Sequence, residues 1–306
     1  MPLPRAGAGG FVQYLNPNEP VARARLDPSA LFARKVASAV GAEIDGVNLA
    51  LGPDEAQFED IRRAYQQYGV IFFRDQHMTP EQHIAFAERW GAINVNRFFA
   101  AVDDYPMIAE VRKEPGQKDN IGGDWHTDHS YDTVPAMGSI LYGLEVPEIG
   151  GDTLFASMYS AYDALSDGLK AMLEGLDAWH SSRHAFGEGA RSDDSDIGER
   201  VGKPELATQD ALHPVVIRHP ETGRKALYVN PGFTVRFDGW TAEESAPLLE
   251  YLYKHAVRPE FTCRFQWRKG SVAFWDNRST WHLALNDYHG HRRLMHRITV
   301  DGAPLH

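Results

Sequence analysis

The stretch GGDWHTDHSYD, residues 122–132, contains His126, Asp128 and His129 within four positions. If its WHTDH segment, residues 125–129, is an extended strand, residues i and i+2 point to the same face, so His126 and Asp128 project together while His129 faces the other way. An imidazole and a carboxylate side by side can supply two adjacent ligands to one metal ion. Two histidines and one carboxylate on one triangular face form a non-haem Fe(II) oxygenase site, which leaves three coordination positions for co-substrate and oxygen.

The third ligand of such a site must come from elsewhere, and His-x-Asp alone is a weak signal because the chain has 14 histidines. The C-terminal segment WDNRSTWHLALNDYHGHRRLMHRITVDG, residues 275–302, offers His282 followed by a basic run. Arg293 and Arg297 are four residues apart, so in a strand they share one face, opposite an apolar one. They are either two solvated arginines or two guanidiniums lining a pocket, each able to bind a carboxylate or sulfonate bidentately.

The elements that must position these residues are mostly short strands. From residue 105 onward, strand-like runs are separated by Gly, Pro, Asn and Asp. Strands are also predicted at 42–49 and 70–75, and helices at 53–69, 79–91, 160–176 and 241–256. This pattern predicts a mainly β protein with flanking helices and a double-stranded β-helix (jelly-roll) core. No Gly-rich strand–turn–helix unit indicates a dinucleotide or P-loop site.

The 306 residues are long enough for one large domain, and we expect a single domain over residues 1–306. Residues 1–20, rich in Gly, Pro and Ala, are expected to form a loosely held arm. Residues 187–210 are polar and lack periodicity, which indicates either a mobile loop or a lid over a site.

The composition excludes several partners. A formal net charge of −11 makes the chain a poor general binder of nucleic acid or of anionic membranes. Cys263 is the only cysteine, so an intramolecular disulfide and a cysteine zinc site are excluded. We see no signal peptide and no apolar run near the ~18 residues that span a bilayer. A cytoplasmic location is therefore the default expectation.

Five motifs occur in a fixed order: WHTD, GGDTLF, HPVV…HP, WDNR…H and RRLMHR. Together they closely resemble the taurine dioxygenase family of Fe(II)/2-oxoglutarate-dependent dioxygenases, which includes the phenoxyalkanoate-herbicide and alkylsulfate dioxygenases. The resemblance runs from about residue 40 to residue 302. It implies hydroxylation of a substrate by O2, with 2-oxoglutarate as co-substrate and with succinate and CO2 as co-products.

The resemblance also implies the metal site and the catalytic residues. The family's His-x-Asp falls on His126 and Asp128, and its distal histidine falls on His282, so these three would bind Fe(II). Related halogenases lack the carboxylate, which leaves room for a halide on iron. The presence of Asp128 therefore favours hydroxylation. His129 is expected either to support the metal ligands or to have a structural role, and not to be a fourth ligand.

Three further positions of the family bind anionic groups of the co-substrate and the primary substrate. The arginine eleven positions after the distal histidine falls on Arg293, and the GGDT threonine falls on Thr153. The resemblance implies that both bind the far carboxylate of 2-oxoglutarate. The arginine fifteen positions after the distal histidine falls on Arg297, which would bind the anionic head group of the primary substrate.

The substrate pocket departs from the taurine pattern. Where taurine enzymes carry a histidine, a tyrosine and an asparagine that read the substrate, this chain has Asn96, Phe99 and Gly122. Taurine itself is therefore doubtful, and several segments look closer to the aryloxypropionate branch. Phe98, Phe99 and Phe233 are candidates for an apolar wall, although core packing alone would also explain them.

These observations predict a dioxygenase that hydroxylates a small organic anion: a sulfonate, an alkyl sulfate or an aryloxyalkanoate. One alternative is a biosynthetic hydroxylase or desaturase of a natural product with the same iron centre. Another is a jelly-roll binding protein without catalysis. A third is a zinc hydrolase, since two histidines and an aspartate also hold zinc. By analogy with relatives, a homodimer or homotetramer is expected.

Overall fold

The computed structural model describes residues 13–14, 31–189 and 195–306 of the chain. Eighteen strands and six α-helices lie in these ranges. The strands are β1 (Gln13–Tyr14), β2 (Phe32–Lys35), β3 (Ala42–Asp45), β4 (Val70–Phe73), β5 (Ile93–Asn94), β6 (Ala101–Val102), β7 (Tyr105–Lys113), β8 (Gly138–Glu145), β9 (Thr153–Ser157), β10 (Asp177–Ser181), β11 (Asp210–Pro214), β12 (Val216–Arg218), β13 (Lys225–Leu227), β14 (Thr234–Phe237), β15 (Thr262–Phe265), β16 (Val272–Asp276), β17 (Thr280–Ala284) and β18 (Arg293–Val300). The helices are α1 (Glu55–Tyr68), α2 (Pro80–Glu88), α3 (Met158–Asp163), α4 (Asp167–Leu173), α5 (Arg183–Phe186) and α6 (Ala242–Ala256).

Ten strands form one large sheet. Their order is β1-β2-β3-β4-β16-β8-β18-β7-β6, and β5 pairs with β18 off this path. The other strands form three small sheets, β15-β9-β17, β11-β10-β14 and β12-β13. The fold is mainly β with flanking helices and a jelly-roll core, as the sequence predicted.

An apolar layer joins the large sheet to the β15-β9-β17 sheet. Phe72 of β4 stacks on Phe265 of β15 with ring centroids 4.0 Å apart. Phe155 of β9 packs against Phe72 and against Trp275 of β16. His282 of β17 packs on the same Trp275 ring, with centroids 4.5 Å apart. Because tightly packed interiors resist small displacements, this layer holds His282 in place.

The opposite face of the large sheet is covered by α1 and α2. Tyr65 of α1 stacks on Phe274 of β16 with centroids 4.3 Å apart. Strand β18 contributes to both apolar layers: Met295 packs between the two sheets, while Ile298 and Val300 pack under the helices. The two-faced character that the sequence predicted for this strand is therefore confirmed.

Helix α2 begins where the sequence predicts, whereas α1 begins at Glu55, two residues after the predicted start. Asp54 accepts a hydrogen bond from the Gln57 backbone N–H at the start of α1, and Thr79 does the same for Gln82 at the start of α2. Such caps satisfy backbone donors that have no partner inside the helix. Helix α2 ends at Glu88, slightly before the predicted stop.

The single helix predicted over residues 160–176 is wrong. The chain forms two short helices there, α3 and α4, and α4 begins at Asp167. Ser166 explains the break, because its side chain accepts a hydrogen bond from the Leu169 backbone N–H and so caps a new helix. The helical spacing of apolar residues continues across the break and hides it.

Two predicted segments lie partly outside the described residues. Of the proposed arm at 1–20, only Gln13–Tyr14 is described, and it pairs in parallel with β2. Of the proposed lid at 187–210, residues 190–194 are not described, and the rest includes 3-10 helices at Ile197–Glu199 and Pro204–Leu206. Among the described helices, none is long and apolar enough to cross a membrane.

Candidate active site

A cavity of about 870 Å³ lies beside the inter-sheet layer, and the predicted site residues line it. The residues of the sequence prediction that contribute to its wall are Asn96, Phe99, Gly122, His126, Asp128, Thr153, Phe233, His282, Arg293 and Arg297. They come from six separate parts of the chain. A volume of this size accommodates a small organic ligand together with a co-substrate.

His126 and His282 are joined through their backbones. The His126 N–H donates to the His282 carbonyl at 3.1 Å, and the His282 N–H donates to the His126 carbonyl at 2.8 Å. This antiparallel bridge is isolated and does not extend into a strand. The extended strand considered for residues 125–129 is therefore wrong, because the chain turns directly after the bridge, with His129 in the left-handed region at φ 59°.

The three predicted ligands nevertheless come together. One donor atom each from His126, Asp128 and His282 lies within 4.8 Å of the other two. The two imidazole centroids are 4.1 Å apart, and His126 Nε2 lies 3.7 Å from Asp128 Oδ1. Within the described ranges, no other His, Cys, Asp and Glu side chains form such a group of three.

The chemistry of the two histidines fits a metal ligand. His126 Nδ1 lies 2.8 Å from the Asp124 carbonyl, which fixes the ring and turns Nε2 toward Asp128. Such a hydrogen bond on the other ring nitrogen is typical of ligating histidines. Burial, with His126 close by, holds the pKa of His282 well below its usual value. His282 is therefore neutral at pH 7 and keeps a lone pair for a metal.

The two oxygens of Asp128 have different neighbours. Oδ2 accepts a hydrogen bond of 2.8 Å from the Ser139 hydroxyl, and Oδ1 lies 3.4 Å from Arg297 Nη1. Burial alone would raise the pKa of Asp128, but Arg297 and the two histidines outweigh burial and hold that pKa well below its usual range. The carboxylate is thus ionised and acts only as an acceptor.

Arg293 is a buried cation with free hydrogen-bonding capacity. Its Nε and Nη2 find no partner among the described residues, although the side chain is only 3 % exposed. Burial lowers its pKa from the usual value, which reflects this shortage of anionic neighbours. Thr153 lines the same cavity, and its hydroxyl oxygen accepts a 2.9 Å hydrogen bond from Trp267 Nε1. The Thr153 proton therefore remains available for a ligand.

Arg297 lies on the same face of β18 as Met295, two residues further along the strand. It is also buried. Its guanidinium carbon lies 4.4 Å from the centroid of the Phe99 ring, and its Nε has no partner among the described residues. The interpretation of Arg293 and Arg297 as solvated surface arginines is wrong, since both are buried in the cavity wall.

The predicted pocket residues Asn96, Phe99, Gly122 and Phe233 all line the cavity, whereas Phe98 is buried behind them. The side-chain oxygen of Asn96 accepts hydrogen bonds from the backbone N–H groups of Phe98 and Phe99, so it is committed to the loop. At Gly122, an added Cβ would lie 3.3 Å from the His126 ring. Neither Asn96 Oδ1 nor Gly122 therefore offers a free side-chain acceptor to a ligand beside the proposed metal site.

His129 has a structural role, as expected. Its Nδ1 bonds Asp132 at 3.0 Å, and Asp132 also forms an ion pair with Arg97 at 2.9 Å. These contacts hold the turn that follows Asp128. His129 does not belong to the group of three close donor atoms.

Two residues near the proposed metal site carried little signal in the sequence: Ser139, which bonds Asp128, and Trp275, which lines the cavity. Ser139 and Trp275 occur inside apolar strands, where a buried structural role is the usual interpretation. Ile197 and Val201 also line the cavity, from the segment considered as a lid. Only the pairing of distant strands reveals these contacts, although the family motif around Trp275 was a partial signal.

The chain is similar to several known proteins. The family described as "Taurine catabolism dioxygenase TauD, TfdA family" matches residues 33–299. An alkylsulfatase of Acinetobacter baylyi is 38% identical over 275 residues, which cover 89% of this chain and 85% of that protein. An (S)-phenoxypropionate/alpha-ketoglutarate-dioxygenase of Sphingobium herbicidovorans is 34% identical over 271 residues, with 86% and 92% covered.

Solved structures agree with this similarity. The crystal structure of a taurine dioxygenase from Burkholderia xenovorans is 36% identical, with a TM-score of 0.75 and 89% of each chain covered. The crystal structure of AAD-2 in complex with Mn(II) and N-oxalylglycine is 28% identical, with a TM-score of 0.74 and 90% and 98% covered.

Proposed function

The chain belongs to the TauD/TfdA dioxygenase family, and from this premise we propose that it hydroxylates a small organic anion with O2 and 2-oxoglutarate. Succinate and CO2 are the co-products. The observation that carries the proposal is the group of His126, Asp128 and His282 in a cavity whose wall also contains two buried arginines. A binding protein without catalysis would not need this ligand set.

The three metal ligands and the two arginines bind different partners. His126, Asp128 and His282 would hold Fe(II), which supplies the oxidising chemistry when it is bound. Arg293 has the unpartnered nitrogens that bind the far carboxylate of 2-oxoglutarate, and the Thr153 hydroxyl donates to the same carboxylate. Arg293 and Thr153 thereby orient 2-oxoglutarate, so that its keto acid end faces the three ligands.

The primary substrate binds at Arg297 with its anionic group. Phe99 and Phe233 contact its carbon skeleton and exclude water from the reacting bond. The amine-reading groups of taurine enzymes are absent here, because Gly122 has no side chain and the Asn96 oxygen is committed to the backbone. We therefore propose an anion with an apolar body, such as an alkyl sulfate, alkyl sulfonate or aryloxyalkanoate. Taurine is a poor candidate.

A substrate panel tests this proposal. Purified protein with Fe(II), 2-oxoglutarate and O2 is offered medium-chain alkyl sulfates, the matching sulfonates, aryloxypropionates and taurine, and succinate release is measured. The matching neutral alcohols serve as controls for the charge. We expect apolar-bodied anions to release succinate much faster than taurine or the alcohols. Equal rates with the alcohols would contradict a charged substrate, and no succinate with any compound would contradict the proposed reaction.

The sequence and the family resemblance also support four simpler proposals. Residues 1–306 form one catalytic domain, the segment 187–210 acts as its lid, and the enzyme works in the cytoplasm as a homodimer or homotetramer. Light scattering on the purified protein tests the oligomeric state, and a monomer over the whole working concentration range would contradict it.

A further inference from the structure

Ser139 stands beside the proposed metal site and has no role in the function proposed above. It is the second residue of β8 and has no solvent exposure. Its hydroxyl donates to Asp128 Oδ2 at 2.8 Å. Asp128 is itself only 6 % exposed, so this hydrogen bond is shielded from competing water.

The bond distinguishes the two oxygens of Asp128. A serine hydroxyl has one proton, and an ionised carboxylate can only accept. With Oδ2 held by Ser139, Oδ1 is the oxygen that lies 3.7 Å from His126 Nε2, inside the group of three ligands. We infer that Ser139 is a positioning residue that holds Asp128 so that Oδ1 faces the proposed metal position. The inference rests on the proposed metal role of Asp128.

The place of Ser139 in the sheet suits this task. Its Cα pairs with that of Trp275 in β16 and with that of Thr299 in β18, so it lies between two neighbouring strands. Trp275 packs on the His282 ring in the same row of cross-strand neighbours. The row Trp275, Ser139 and Thr299 therefore contacts two of the three proposed ligands: Ser139 bonds Asp128, and Trp275 packs on His282. Supporting residues on rigid strands hold ligands more accurately than residues on loops do.

Loss of the Ser139 hydroxyl would free Oδ2. The carboxylate would then rotate, and Oδ1 would no longer be held toward the two histidines. Metal binding would have to fix the carboxylate itself, so the affinity of the site for a divalent metal would fall. A rotated Asp128 could also form a closer pair with Arg297, which already lies 3.4 Å from Oδ1.

The chain offers a matched control at Thr299. Its hydroxyl lies 3.5 Å from the Ser139 hydroxyl, and the hydrogen bonds of the described residues include none between Thr299 and Asp128. Thr299→Val removes a buried hydroxyl from the same row with almost no change of shape. Ser139→Ala removes the donor to Asp128, and Ser139→Cys replaces it with a weaker donor of similar size.

Mn(II) titration followed by electron paramagnetic resonance of the free ion measures metal affinity without turnover. We expect Ser139→Ala to weaken Mn(II) binding about 10- to 100-fold, the usual effect of losing a hydrogen bond behind a metal ligand. Ser139→Cys should fall between Ser139→Ala and the parent protein, and Thr299→Val should stay within about twofold of the parent. With Fe(II), Ser139→Ala should also release more succinate per molecule of product.

The outcomes separate this inference from the function on which it rests. If the parent protein binds no Mn(II), the proposed metal site itself is wrong. If the parent binds Mn(II) and Ser139→Ala binds it equally well, Asp128 does not need Ser139 and only the present inference is overturned. An equal loss in Thr299→Val would also overturn it, because general packing of the row would then explain the effect. Thermal melts of each variant check that the fold persists.

Discussion

Arg297 Nη1 lies 3.4 Å from Asp128 Oδ1, and both side chains are buried. The cation proposed to bind the substrate thus already contacts a proposed metal ligand. A buried charge without a partner is strongly destabilising. Arg297 and Asp128 therefore stabilise each other while no substrate is bound. An anionic substrate would share Arg297 with Asp128, and this sharing links substrate binding to the electrostatics of the metal site.

Arg293 and Arg297 should affect different ligands when they are replaced. Arg297→Ala should raise the KM of the organic substrate at least about 30-fold, because losing one partner of a buried ion pair costs about 2 kcal/mol or more. Its 2-oxoglutarate requirement should change little. Arg293→Ala should give the reverse pattern. Steady-state kinetics with each ligand varied in turn measures both values.

The control for both arginine variants is Arg292→Ala. Arg292 precedes Arg293 in the chain, but it is partly exposed and pairs with Glu114 and Glu145 at the surface. Exposed ion pairs contribute little, so Arg292→Ala should behave like the parent enzyme. An Arg297→Ala enzyme with unchanged substrate KM would contradict the proposed role of Arg297.

His282→Ala should abolish most metal binding while the fold persists. The ring supplies one of the three close donor groups, and its low pKa keeps it neutral. Isothermal titration with Mn(II) and a succinate assay with Fe(II) measure the loss, and circular dichroism checks the fold. His289→Ala, in an exposed part of the following loop, is the control. The assignment is wrong if His282→Ala keeps parental affinity and turnover.

Gly232 should be essential for the position of His126. A Cβ at residue 232 would lie 2.8 Å from the His126 Cβ, which is too close for two carbon atoms, and also near Asn230. Gly232→Ala should therefore displace His126, weaken Mn(II) binding, and destabilise the protein by about 1 to 3 kcal/mol. Urea unfolding and Mn(II) titration measure the two effects.

Gly168→Ala is the matched control for this prediction. Gly168 lies inside α4, and an added Cβ would meet no atom within 4 Å. Alanine in a helix is more stable than glycine by about 0.5 to 1 kcal/mol, so this variant should be slightly more stable with unchanged metal affinity. Parental Mn(II) affinity in Gly232→Ala would show that the close contact with His126 does not matter.

His83 should make the fold sensitive to acid. It is buried in α2, and burial, with a smaller effect of His296, lowers its pKa to about 3. The folded pKa is below the unfolded value near 6.5, so the unfolded chain binds more protons between pH 6.5 and 3. Stability is therefore fully present above pH 6.5 and is lost as the pH falls toward 3.

Between pH 7.5 and pH 5, this single group should reduce the free energy of unfolding by about 2 kcal/mol. His83→Leu should remove that part of the loss, while His77→Gln, at an exposed position, should keep it. Urea unfolding of the three proteins at both pH values measures the difference. Identical pH dependence in the parent and in His83→Leu would contradict the prediction.

The sequence predicted the general site better than its local geometry. His282 and Arg293 were found because they lie at fixed distances within a recognisable C-terminal run. The conformation around Asp128 was not found, since a one-residue bridge and a left-handed turn have no clear sequence pattern. Ser139 could not be predicted at all, because its contact with Asp128 depends on where the loop meets β8 in three dimensions. The same limit explains the missed break between α3 and α4.

The segment 195–201 should determine how well the apolar body of the substrate binds. Arg200 is buried and donates to the carbonyls of Arg112 and Asp119 and to the carboxylate of Asp196. The Asp196 carboxylate also accepts from the backbone N–H groups of Lys118 and Asp119. These contacts attach the segment to the end of β7 and to the loop at residues 118–119, and so they hold its cavity-lining residues in the wall.

Arg200→Gln should therefore raise the KM of the organic substrate, and the increase should grow with the length of the alkyl chain, because longer chains use more of the wall that Ile197 and Val201 provide. The 2-oxoglutarate KM should change little, since Arg293 and Thr153, the residues proposed to bind that ligand, lie outside this segment. Arg183→Gln is the control, because Arg183 forms an exposed pair with Asp210 outside the segment. Kinetics with alkyl sulfates of increasing length, with limited proteolysis in the presence and absence of substrate, test the idea. A KM increase that is the same for every chain length would show that Arg200 supports the fold in general and not this wall.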